Sequence, residues 1–143
     1  MNVTDEYLET RVMTAAPEEL HMMVVDGAVR NAAQAVEALQ RNDFETSHFS
    51  LNRAREFVIE LISGLDESRC EELVDIFKGL FGFVYRNLTD ADLYHDAAKA
   101  EDALRILRMH RETWQQLLRE RKTTAQNDVS SSPEQSRGQS WIG

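Results

Sequence analysis

Two Glu-x-x-His pairs, Glu18 with His21 and Glu45 with His48, have the spacing in this chain that best suits metal chemistry. Residues three apart on a helix share a face, and such pairs on two helices of a bundle can hold a di-metal centre. Here each pair opens its own helical segment. Consecutive antiparallel helices put those openings roughly 30 Å apart, at a rise of about 1.5 Å per residue, so no shared metal site is expected. Asp90, Asp92 and Asp96 form a carboxylate-rich loop. They lack the central glycine and closing glutamate of a calcium loop, and read as helix ends and caps. Cys70 is the single cysteine, and His21, His48, His95 and His110 are scattered, so no thiol–base nucleophile is assembled. There is no phosphate loop and no GxGxxG. Glu71-Glu72 reads as a solvated face rather than an acid–base pair. The expectation is therefore a non-enzyme with no cofactor and no metal.

Four segments must carry these residues. Apolar periodicity predicts helices over Pro17 to about Gln40, Phe44 to about Ser63, Arg69 to about Asp90, and Ala97 to about Lys122. Their connectors are short, and short connectors force antiparallel neighbours. The expected fold class is all-α, an antiparallel up-down four-helix bundle. Pro17 suits a first helical position. Asp43 and Asp96 can cap the helices that follow them, and Gly64 can take the left-handed conformation that closes the second. Glu101 and Asp102 early in the fourth segment, with Arg119, Arg121 and Lys122 late in it, complement the helix dipole.

The chain's 143 residues leave room for one domain. Residues 17–122 form the expected bundle, residues 1–16 an N-terminal arm, and residues 123–143 a disordered Ser-rich tail ending near Trp141. A net charge of −9 argues against sequence-independent nucleic-acid binding, which needs clustered cations. No apolar run approaches the roughly 18 residues of a membrane span. The opening residues do not read as a signal peptide. With a lone cysteine, a reducing cytoplasm is the expected location.

The apolar pattern is wider than a bundle needs. One stripe per helix can face a core. The first helix has two, Leu20, Met23, Val24 and Gly27 on one side, and Met22, Val25, Val29 and Val36 on nearly the opposite side. In the second helix Phe44, Leu51, Phe57, Val58, Leu61 and Ile62 span roughly 200° of the wheel at 100° per residue. Leu73, Ile76, Phe77, Leu80, Phe81, Phe83, Val84 and Leu88 span a similar arc in the third. Either the arm, with Tyr7 and Val12, and tight packing consume this surface, or part of it is a groove for a partner's amphipathic helices.

Several of these residues carry a family likeness. Tyr7, then Thr14-Ala15-Ala16-Pro17-Glu18-Glu19-Leu20, then Met23-Val24-Val25-Asp26-Gly27-Ala28-Val29-Arg30 resembles the opening of the FliS-type flagellar secretion chaperones. Leu80-Phe81-Gly82-Phe83-Val84-Tyr85-Arg86-Asn87-Leu88 is similar to that family's aromatic-rich tyrosine–arginine segment. Leu107 to Trp114 is similar to its closing L-x-x-L-R-E-T-W. Two positions depart from the pattern: Ala16 stands where a capping serine is expected, and Val25 where a tyrosine is expected.

The resemblance implies a bacterial cytoplasmic chaperone that binds the C-terminal segment of flagellin. It blocks premature polymerisation and keeps flagellin competent for flagellar type III secretion. It further implies partner-binding roles for Tyr7 and Val12 in the arm and for Met22, Val25 and Val29 on the first helix. Phe57, Leu61, Phe81 and Tyr85 then belong to the groove between the second and third helices. Which of these are groove and which are core stays open, as does binding of export-apparatus components or flagellar regulators. The oligomeric expectation is a monomer or weak dimer. The competing reading is a helical structural or adaptor module that self-associates through the same surface, without a flagellin partner.

Overall fold

A computed structural model describes residues 17–65 and 71–142, except for the side chains of 71–73 and 124–142. Helix α1 spans Pro17–Gln40, α2 Phe44–Leu65, α3 Glu71–Tyr94 and α4 Ala97–Ile142. No strand occurs among the described residues. Tyr7, Val12 and Cys70 lie outside them.

The chain divides into two units, Met1–Arg111 and Glu112–Gly143. The first holds α1, α2, α3 and the start of α4, arranged as the expected antiparallel four-helix bundle. Long-range contacts fix the directions. Gln40, at the end of α1, bonds Glu101 near the start of α4, while His21, at the start of α1, bonds His110 further along α4. His48, early in α2, meets Asp92, late in α3. In the second unit Trp114 and Leu118 are half-buried and Leu117 is exposed, and the Thr123 hydroxyl donates to the Arg119 carbonyl.

The caps are as local chemistry dictates. The Asp43 carboxylate accepts the Thr46 amide at 3.2 Å, and Asp96 accepts the Ala98 amide at 3.0 Å. The left-handed residues that close α1 and α3 are Asn42 (φ 58°) and His95 (φ 50°). Asparagine tolerates that region better than most residues, and the His95 ring is stacked on Phe44 at 3.7 Å. Gly64 does not take the expected left-handed conformation; it lies within α2, one residue before its end.

Two other boundaries shift. Helix α3 runs past Asp90 to Tyr94 because Ala91 is fully buried and Asp92 is tied into ion pairs, so Asp90 and Asp92 are helical rather than in a loop. Helix α4 runs past the expected end near Lys122 to Ile142.

The core is built mainly from small residues on α1. Val25, Ala28, Ala32, Ala35, Val36 and Leu39 follow the helical period and are buried with Leu51, Ala54 and Val58 of α2, Phe81, Val84 and Leu88 of α3, and Ala100, Ala103 and Leu107 of α4. Counting only large apolar residues places Val25 and Val36 on an outer stripe. The alanines show that this stripe borders the core face, and Val25 is 0% exposed and Val36 8%. Small side chains let α1 and α2 approach closely. The Phe57 ring lies over Gly27, where an added Cβ would come within 2.7 Å of the ring carbons. A larger residue there would force the Phe57 ring to shift, a constraint of space and not of backbone conformation.

Candidate partner-binding surface

The sequence motifs that suggested a family meet one another in space. Asp26, beside Gly27 on α1, pairs with Arg111 on α4, and Asn31 donates to the Gly27 carbonyl at 2.8 Å. The Asp-Gly pair of α1 and the Arg-Glu-Thr-Trp run of α4 thus contribute an aspartate and an arginine to one interhelical bond. On the opposite side Asp92 of α3 binds Arg55 at 2.8 Å and His48 at 2.9 Å. Burial would raise the Asp92 carboxyl, but bonds from Arg55 and His48 outweigh it and hold the group below its usual range. The second Glu-x-x-His pair therefore spends its histidine on a contact with Asp92 across α2 and α3.

The first pair spends its histidine on another histidine. His21 Nε2 lies 2.9 Å from His110 Nε2. The His110 ring is 7% exposed and is met edge-on by Phe81 at 5.0 Å and Phe77 at 5.6 Å. Burial lowers the basicity of both imidazoles, and for His110 the neighbouring His21 adds to it, bringing its pKa to about 4. The unfolded chain takes up this proton near the ordinary pKa of about 6.5, whereas the folded chain resists it until near pH 4. Stability is thus fully present above pH 6.5 and falls as the pH drops from there toward 4, by about 3 kcal/mol from His110 alone. Urea midpoints measured between pH 7.5 and 4 should decline over that window. The lowered Asp92 gives a separate loss confined to pH below about 4. A midpoint flat from pH 7 to 4.5 would contradict the histidine account.

The residues expected to bind a partner divide by burial. Val25, Leu61 and Phe81 are sealed in the core at 0%, 2% and 0% exposure. Met22, Val29, Phe57 and Tyr85 are half-buried at its margins. The large apolar groups open to solvent among the described residues are others: Phe44, Phe49 and Ile59 on α2, Ile76, Phe83, Leu93 and Tyr94 on α3, and Met109 and Leu117 on α4. Ile76, Phe83 and Tyr94 are spaced by seven and eleven residues, close to whole turns of a 3.6-residue helix, so they share one face of α3. Phe77 and Phe81 mark the flank of α3 that meets α4, because both touch His110. Ile76, half-buried Leu80 and Phe83 continue that flank outward, as half-buried Ile106 and exposed Met109 continue the facing flank of α4. The result is an apolar strip along the outer side of the α3–α4 seam. Sequence reasoning counted Ile76 and Phe83 in a broad apolar arc but passed over Met109 and Phe49. Their signal was being out of phase with the buried period of their own helices.

Among the described residues no helix is long and apolar enough to cross a membrane.

The family model for Flagellar protein FliS matches residues 1–121. The chain is similar to the flagellar secretion chaperone FliS of Salmonella typhimurium, with 29% identity over 111 residues, 77% of this chain and 82% of the relative. It is also similar to the flagellar secretion chaperones FliS of Bacillus subtilis, 27% identical over 81% of this chain and 86% of that one, and of Escherichia coli, 27% identical over 78% and 82%. These names describe a non-catalytic role. A four-helix bundle whose motif residues Asp26 and Arg111 join α1 to α4, matched over nearly all of its bundle by that model, belongs to the FliS family of flagellar secretion chaperones.

Proposed function

We propose that this chain is a cytoplasmic export chaperone that binds the C-terminal segment of flagellin, prevents its premature polymerisation and keeps it competent for flagellar secretion. The observation that carries the reading is the apolar strip of Ile76, Phe83 and Met109, exposed at 64%, 43% and 63% on a bundle whose core is otherwise closed. An amphipathic segment laid along the strip would bury apolar faces of both molecules. Flagellin's own apolar face is then withheld from other flagellins. Met22, Val29, Phe57 and Tyr85 border the same bundle and serve as further contact candidates. The family assignment supports the export role, and the relatives' names supply the word chaperone. Ordering a disordered guest costs free energy, which keeps affinity moderate and allows release.

The test is the double variant Ile76→Asp/Phe83→Asp, titrated calorimetrically with a flagellin C-terminal peptide. Each apolar group buried on binding contributes about 1.5 kcal/mol or more, so the pair should weaken binding by about a hundredfold or more. The urea midpoint should move little, because surface substitutions usually cost within about 0.5 kcal/mol. Unchanged affinity would remove the strip as the docking surface. Concentration-dependent dimerisation of the free chain, abolished by the same variant, would favour self-association instead.

A further inference from the structure

We propose that His21 and His110 form a two-histidine site for a divalent first-row ion of tetragonal preference, Ni²⁺ or Cu²⁺, which clips α1 to α4. The two Nε2 atoms already converge to 2.9 Å from different helices. An ion about 2.05 Å from each imidazole nitrogen would see them at close to a right angle. That is the angle between neighbouring ligands in square-planar or tetragonal geometry, which Cu²⁺ and Ni²⁺ favour with nitrogen and oxygen donors. A tetrahedral ion would need the nitrogens opened to about 3.3 Å.

The rings are side by side before any ion arrives, and each turns its Nε2 lone pair about 45° off the N···N line to meet the ion. His110 is held edge-on by Phe77 and Phe81, and its burial keeps solvent from one side. His21 is the more exposed partner, so an ion enters from the α1 side. Binding exchanges one contact for another and involves no redox step. In the free chain one imidazole carries its hydrogen on Nε2 and donates it to the other. On binding, that imidazole passes the Nε2 proton to water and takes one on Nδ1, so both remain neutral and both Nε2 lone pairs face the ion. The lowered basicity of the pair keeps protons from competing at neutral pH. Among the described residues no group of three or more His, Cys, Asp or Glu is gathered, so the two imidazoles are the ligands this proposal names.

The experiment uses the full-length, tag-free chain carrying His48→Gln and His95→Asn, which leaves His21 and His110 as its only histidines. Calorimetric titration with NiCl₂ and with ZnCl₂ is compared with the same chain carrying in addition His21→Gln. His21 is the substituted partner because it is part-exposed, and far-ultraviolet circular dichroism confirms the fold. The expected result is one equivalent of Ni²⁺, bound more tightly than Zn²⁺, a raised melting temperature, and affinity reduced about tenfold or more by His21→Gln. Equal Ni²⁺ affinity with and without His21, or no binding by the His21-containing chain, overturns the site. Tighter binding of Zn²⁺ than of Ni²⁺ overturns the tetragonal assignment. None of these readouts depends on flagellin.

Discussion

Val25→Asp is expected to leave the chain unfolded, or at best a weakly cooperative helical collapse, at 25 °C and neutral pH. Val25 has no solvent exposure and lies among Ala28, Ala32 and the apolar faces of the other helices. Described buried polar atoms are all satisfied in the native packing, and a carboxylate introduced there gains no designed partner. Ionised and unpaired it would cost far more than the fold can supply, and protonated it still loses its hydrogen bonds to water. A cost beyond about 4 kcal/mol is expected, against a typical total of about 5–15 kcal/mol. Circular dichroism melts and urea titration check this. A cooperative melt within a few degrees of the parent chain would contradict the packing described. The result bears on function, because a loss of flagellin binding by this variant would report unfolding and would not locate a groove. Ile76→Asp/Phe83→Asp separates the two effects, since those side chains are outside the core.

Phe81→Ala is the second large effect, with an expected destabilisation of about 3–5 kcal/mol. The ring is wholly buried, edge-on to His110 and stacked at 6.0 Å on Phe77, so its removal empties volume and breaks two aromatic contacts. The cavity would also admit solvent beside His110. Its imidazole should then regain basicity and titrate nearer the ordinary histidine value of about 6.5, which nuclear magnetic resonance of the ring protons follows directly. Loss of stability with no change in His110 titration would show that Phe81 does not shield the histidine. An unchanged urea midpoint would show that the ring is not the core element its burial implies.

The exposed strip also bears on how these chains could work. A bundle that buries its core with alanine and glycine on α1 can afford large apolar groups elsewhere without losing its fold. If the strip on α3 and α4 is the docking surface proposed above, the stability of the scaffold and affinity for the guest can vary separately. Such separation holds best between sites that share no contacts. Ile76 and Met109 meet that condition with respect to Val25 far better than Phe81 does.

Local chemistry made much of the architecture legible. Pro17 opens α1, Asp43 and Asp96 cap α2 and α4, and the connectors before Phe44 and Ala97 are short, because each depends on atoms within a few residues of sequence. Helix number, order and antiparallel direction followed from those signals and from the 3.6-residue period. What sequence left open was the phase of each apolar face against its neighbours. The wheel grouped Val25 with Met22 and Val29, and Phe81 with Phe83, yet packing seals Val25 and Phe81 and leaves Met22 and Val29 half-buried and Phe83 exposed. Likewise, Asp26 with Arg111 and His21 with His110 are 85 and 89 residues apart in sequence, and nothing local pairs them. The sequence by itself determined four antiparallel helices and where most of them begin, because nucleation and capping are short-range. Only the tertiary structure decided which greasy side chains are core and which are exposed, because burial depends on the rotation and separation of helices that meet only once the chain has folded.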